Sequence, residues 1–186
     1  YTRNIVSTSF GYSGSFRRLS YQAYPLQLNI VHLKNVEDYF KEMIEANPFM
    51  RYSYQDHFDA GVGATLYYTT NSEVKPSVSY HYIRFTTDLS GNLISLLKPV
   101  MNTNQDGAGL IWGIPFSQYV RGELTLGRTW VFGRNGGQAL ATRLVGGLGH
   151  AYGNSSALPF EKQFYVGGAS SMRGWQARAL GPGFTA

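Results

Sequence analysis

The sequence contains no cysteine, which removes disulfides, thiolate metal sites and thiol nucleophiles. Charge is sparse: Asp, Glu, Lys and Arg make up 15% of the chain, well below the quarter or so usual in a soluble domain. No run approaches the roughly 18 uninterrupted apolar residues that a membrane-crossing helix needs. The 16 basic residues outnumber the 11 acidic ones and leave a formal charge of +5. They are scattered, with no dense basic tract, which argues against nucleic acid as a partner. His32, His57, His81 and His150 lack metal-ligand spacing. No Gly-x-Ser-x-Gly elbow or triad order is present. Asp56 and His57 are neighbours, so along a strand they point to opposite faces. Gly146-Gly147-Leu148-Gly149 lacks the Lys-Ser/Thr of a phosphate loop and reads as close packing or a bend within a strand. The expectation is a protein without enzymatic activity or cofactor.

What the chain does have is aromatic residues, 15% of the total, and 22 glycines, at a hydrophobic content of only 43%. That balance suits a transmembrane β-barrel, in which only every second strand residue meets lipid. Period-two alternation bears this out along the chain. Leu124, Leu126, Trp130 and Phe132 alternate with Glu123, Thr125 and Thr129. Arg128 interrupts that apolar face near the strand end, where a long side chain can snorkel. Leu140, Leu144 and Leu148 oppose Arg143, Gly147 and Gly149, placing Arg143 in a wet lumen. Leu26, Leu28 and Ile30 oppose Gln27 and Asn29, and Val62, Ala64, Leu66 and Tyr68 oppose Asp59, Gly61, Gly63 and Thr65. About six antiparallel strands are expected, at 4–13, 23–33, 58–70, 77–89, 115–132 and 138–152, the fourth with an ambiguous face. Tyr67, Tyr68, Trp130 and Phe132 fall near strand ends and read as interfacial girdles.

The links sort by length. Those at 14–20, 71–76 and 133–137 are short, whereas 34–50, 90–113 and everything beyond 152 are long. Tight periplasmic turns alternating with large extracellular loops give this pattern, and a soluble sandwich has no reason to. One helix is expected inside an extracellular loop. Asn35 caps it, Val36, Tyr39, Phe40, Met43 and Ile44 share a face, and Asn47-Pro48 stops it. The chain opens at Tyr1 without a signal segment and stops after Gly181-Pro182-Gly183, so it reads as a piece of a longer one.

The most specific stretch runs from Leu158-Pro159-Phe160-Glu161-Lys162-Gln163-Phe164-Tyr165-Val166-Gly167-Gly168 through Ser171-Met172-Arg173-Gly174-Trp175 to Leu180-Gly181-Pro182-Gly183. It resembles the signature loop of the BamA/TamA superfamily of outer-membrane insertases. In that family a Phe-Tyr-x-Gly-Gly run leads to an apolar-Arg-Gly-aromatic core and then to Gly-Pro. The family usually has Val or Ile before the Arg and Phe or Tyr after the Gly, where this chain has Met172 and Trp175. The Leu-Pro-Phe-Glu-Lys-Gln-Phe-Tyr wording resembles the Bacteroidota branch.

The resemblance implies a 16-stranded barrel of which these are the sixth to eleventh strands, followed by a signature loop at 153–186 that folds back into the lumen. Its functional residues are then Phe164, Tyr165, Gly167, Gly168, Met172, Arg173, Gly174, Trp175, Gly181 and Pro182. Arg173 would pair with lumen carboxylates on later strands, which a Lys would not reproduce. Gly174 would let the backbone pass close to the wall, Gly167 and Gly168 would allow the reversal, and Trp175 would pack on the inner surface. The implied location is the outer membrane of a Gram-negative bacterium. The implied partners are outer-membrane lipids, unfolded outer-membrane proteins as substrates, and accessory lipoproteins or a periplasmic partner. Folding and inserting barrels is the implied role, and a two-partner-secretion export pore is the alternative that shares the loop.

Overall fold

The structure, a computed structural model, describes residues 2–34, 39, 56–72, 74, 77–104, 107–133, 137–169 and 173–176. Six long strands form one antiparallel sheet: β1 (Thr2–Phe16), β2 (Leu19–Lys34), β3 (His57–Thr69), β4 (Tyr80–Ser90), β7 (Tyr119–Phe132) and β8 (Gln138–Ala151). Sequence neighbours are also sheet neighbours, in the order β1-β2-β3-β4-β7-β8. A second, two-stranded sheet is the small hairpin of β5 (Leu110–Ile111) and β6 (Ile114–Pro115). The up-and-down meander is the all-β barrel architecture that the alternation predicts. Among the described residues, no helix is long and apolar enough to cross a membrane. Of the expected loop helix, only Tyr39 lies among the described residues; the rest falls outside them.

The register assigns every side chain to a face, because directly paired residues share one. Val6, Phe10, Leu26, Leu28, Leu66, Phe85, Leu124, Leu126, Leu144 and Leu148 fall on one side. Ser7, Ser9, Asn29, Gln22, Thr65, Thr86, Arg84, Glu123, Thr125 and Arg143 fall on the other. The fourth strand, whose face alternation left open, is settled by Phe85 pairing with Leu124 and Arg84 with Thr125. Large residues on the apolar side stay open to the surroundings, Val6 at 64% and Leu144 at 68%. A continuous exposed apolar face of that kind belongs against lipid.

Several boundaries differ from the expected ones for local reasons. The first hairpin closes on Arg17-Arg18 alone, so β1 and β2 run further into the expected link. In β2 the register slips between Tyr24 and Gln27. Pro25 stands in that bulge, where a residue without an N–H costs the ladder nothing. β4 begins at Tyr80, not at 77, and the Ser79 hydroxyl accepts the Val131 amide at 3.0 Å in place of a backbone partner. The fifth long strand begins at Tyr119, not at 115, because Pro115 belongs to the small hairpin. Phe116 then runs alongside Phe58 of β3, with the Ser117 amide donating to the Phe58 carbonyl at 2.8 Å.

That detour makes the only dense core among the described residues, where Val31, Phe58, Phe116 and Tyr119 are buried together with Asp59, Ser90, Ser117 and Gln118. The Ser90 hydroxyl donates to the Asp59 carboxylate, and the Tyr119 hydroxyl donates to it at 2.9 Å. Buried polar groups so satisfied hold the loop end of the sheet in one arrangement. Tyr67 does not join the girdle expected for it. It stands on the polar face, tilted against Tyr82 at 5.8 Å and under the Arg84 guanidinium at 5.4 Å.

Candidate functional site

On the polar face, strand pairing lines up Asp88, Arg121 and Gly149 across β4, β7 and β8. One register step away it lines up Thr86, Glu123 and Gly147. Arg121 and Glu123 are two apart on one strand and therefore project side by side. The Arg121 Nη2 donates to Glu123 Oε2 at 3.0 Å, and its Nη1 lies 3.7 Å from Asp88 Oδ2. The guanidinium is thus held rigid by two carboxylates, with its flat face left for something else.

The segment after β8 occupies that face. Asn154 stitches its base to the preceding long loop: its side-chain amide donates to the Phe116 carbonyl at 2.8 Å and the Gly109 carbonyl at 3.2 Å, and accepts from the Gly109 amide at 2.7 Å. The Asn154 amide itself donates to Gln118 Oε1 at 3.0 Å. Pro159 then enters a single 3-10 turn, Phe160–Lys162. At that turn Glu161 Oε2 lies 3.4 Å from His57 Nε2, the Lys162 ammonium 3.7 Å from Asp88, and the Lys162 carbonyl accepts Arg121 Nε at 3.0 Å. Asp56, next to His57 along the chain, meets His32 at 2.6 Å instead. The two neighbours therefore serve different partners, as strand geometry requires.

Phe164 completes the docking. Its ring lies 4.2 Å from the Arg121 guanidinium carbon and over Gly147, where an added Cβ would collide with it. Leu158 covers Gly149 in the same way. The two glycines thus leave sockets on the polar face, and the loop fills them with an aromatic and an aliphatic side chain. A partly desolvated cation–π contact of this sort contributes about 1–2 kcal/mol. The close-packing reading of the glycine run holds for Gly147 and Gly149; Gly146 faces the other way, with nothing within 4 Å.

The structure distributes the sequence-derived loop residues unevenly. Phe164 and Tyr165 line a concavity of about 690 Å³ on the polar face, with Tyr67, Tyr82, Arg84 and Arg143 opposite. Gly167 and Gly168 stand at φ of 104° and 85°, in the left-handed region that a side chain rarely adopts. The Gly168 amide donates to the Trp175 carbonyl at 2.8 Å, closing the loop on itself. Gly174 has a φ of 92°, likewise in the left-handed region, and among the described residues no atom lies within 4 Å of an added Cβ. Trp175 is 55% exposed among the described residues. Arg173 is exposed and donates to the Ala169 carbonyl at 3.5 Å. Met172, Gly181 and Pro182 lie outside the described residues.

Sequence reasoning missed Asp88, Arg121, Lys162 and the His57–Glu161 pair. The signal for Arg121 was present, since Arg-x-Glu within a period-two strand puts both charges on its polar side. Among the described residues, no group of three His, Cys, Asp or Glu side chains could hold a metal ion. Cradling, bracing and shaping a wall are what this arrangement can do; its charges are spent on one another.

Comparison with known families gives one match. Residues 1–185 fit the Omp85 superfamily domain. No curated protein and no solved structure matches the chain.

Proposed function

The chain belongs to the Omp85 superfamily, and from that premise we propose that it is wall and signature loop of a factor that folds and inserts β-barrel proteins into the outer membrane. Superfamily members serve outer-membrane protein insertion and secretion in general, acting on unfolded outer-membrane proteins and without enzymatic chemistry. The observation that carries the insertase reading is the signature segment folded onto the polar face, with Phe164 seated between Arg121 and Gly147. A loop held inside a barrel stiffens the wall opposite any edge that opens, and an open edge in lipid can template a substrate strand by backbone pairing.

Within this reading Arg173 braces the loop against carboxylates on other strands of the barrel. Among the described residues it meets none, and its exposure leaves the guanidinium fork available. Arg173→Ala then weakens folded-barrel stability and lowers the levels of client barrels. Normal heat-modifiable gel mobility together with normal client levels in that variant removes the proposed role.

The function itself is tested by depleting the full-length protein in its host and following several unrelated outer-membrane barrels. A fall across all of them supports the insertase. Loss of a single exported protein, with the barrels intact, replaces it with a dedicated export pore.

A further inference from the structure

At the end of the sheet that carries the short turns, charge interrupts the apolar face. Arg128 on β7 and His81 on β4 are direct cross-strand partners, so their Cβ atoms stand about 4.5–5.5 Å apart on the lipid side. The Arg128 guanidinium lies 5.3 Å from the Trp130 ring centre, and the His81 ring is tilted against Tyr68 at 6.2 Å. Both Arg128 and His81 are exposed. Across the other ladder, Thr142 directs its hydroxyl at the Arg128 carbonyl at 3.4 Å.

Two donor side chains thus rise from paired positions on one face, each beside an aromatic ring. Among the described residues no carboxylate pairs with Arg128, in contrast to Arg121, which Asp88 and Glu123 hold. An unanswered guanidinium on a lipid-facing strand is costly at mid-bilayer and tolerated near the interface. Its depth fits the interface. Arg128 precedes the strand end at Phe132 by four residues, roughly 13 Å of strand and, at the usual tilt, roughly 10 Å of height. Leu126 and Leu124 continue the apolar band above it, and Trp130 and Phe132 lie toward the turn.

We propose that Arg128 and His81 form a binding site for the phosphate of an anionic phospholipid in the periplasmic leaflet. The planar guanidinium takes two phosphate oxygens side by side, and the imidazole N–H takes a third. Trp130 and Tyr68 flank the glycerol region, the depth that amphipathic rings prefer. Charge complementarity selects the occupant: the patch offers a cation and N–H donors but, among the described residues, no carboxylate paired with Arg128 or His81 that would hold a lipid's ammonium group. The site depends on the barrel standing in a membrane, whichever protein traffic it serves, so its failure leaves the insertase reading untouched.

The test uses the full-length protein in detergent micelles, titrated with phosphatidylglycerol and followed by native mass spectrometry. Arg128→Gln is expected to retain the lipid about tenfold less well, and Arg128→Lys to fall between it and the unaltered protein. Equal retention in Arg128→Gln overturns the site. Displacement of the lipid by millimolar inorganic phosphate also overturns it, since the patch would then be a free-anion site. Should Arg128→Gln fail to reach the heat-modifiable folded form, Arg128→Lys and His81→Gln decide: reduced retention in either supports the site, and unchanged retention in both refutes it.

Discussion

Gly147 faces the side of β8 on which the signature segment lies, and a Cβ there would meet the Phe164 ring, whereas the adjacent Gly146 opens onto empty space. Neighbours in sequence therefore have opposite sensitivities. Gly147→Ala forces the ring off its seat above Arg121 and costs about 1–3 kcal/mol, the usual penalty for overpacking. Gly146→Ala stays within about 0.5 kcal/mol and stabilises slightly through the unfolded chain. The temperature at which the folded, fast-migrating gel band is lost checks both, and similar losses in the two variants would falsify the socket. At this scale the sequence was legible as parity only. The glycine run could be recognised as close packing, but its partner Phe164 lies beyond the strand, and alternation carries no information about what docks from a distance. Tyr67 makes the same point. Beside Tyr68 it looked interfacial, yet one position along a strand is the other side of the sheet.

Strands as elements were the most readable part, because each needs only its own period-two pattern to be identified. Their limits were less so wherever a neighbour intervened. Apolar alternation continues through Ile114 and Phe116 into β7, and only the bridge to Phe58 diverts those residues into a cap over the sheet end. The charged cross-strand pairs were hidden for the same reason, since register is a property of two strands. Arg121 is where β4, β7 and the loop are joined, through Asp88, Glu123, the Lys162 carbonyl and Phe164. Arg121→Ala removes all four contacts, takes the cation from Glu123 and leaves Asp88 only the Lys162 ammonium at 3.7 Å. The expected cost is about 2–3 kcal/mol, below that of a fully buried pair. Arg121→Lys keeps the charge but neither the fork nor the stacked plane, and is expected to recover less than half of it. Urea unfolding in liposomes measures both, and a full recovery by Lys would reduce the residue to a counter-charge.

For the whole molecule the question is whether the two long segments on the loop side move independently or as one lid. Their sequences gave no hint of a connection, and Asn154 supplies it. One side chain serves the Gly109 amide, the Gly109 carbonyl and the Phe116 carbonyl, while its backbone amide holds Gln118. Removing the side-chain amide orphans the Gly109 amide and the Phe116 carbonyl and leaves the Gly109 carbonyl only the Phe116 amide at 3.4 Å, at about 1–3 kcal/mol for each orphaned group that water cannot reach. Asn154→Ala is therefore expected to release residues 107–118 and 153–163 together, raising amide hydrogen exchange in both by roughly tenfold or more. The ladders β2 to β4, which share no bond with Asn154, keep their protection. Exchange that rises in one segment alone shows two independent loops, and unchanged exchange in both shows that the strand ends hold them without the stitch. If both segments loosen together, Arg121 is the main remaining hold on Phe164 above Gly147, beside the longer Lys162–Asp88 and Glu161–His57 contacts. The double variant Asn154→Ala/Arg121→Ala should accordingly lose the loop from the lumen face by more than the sum of the two single changes.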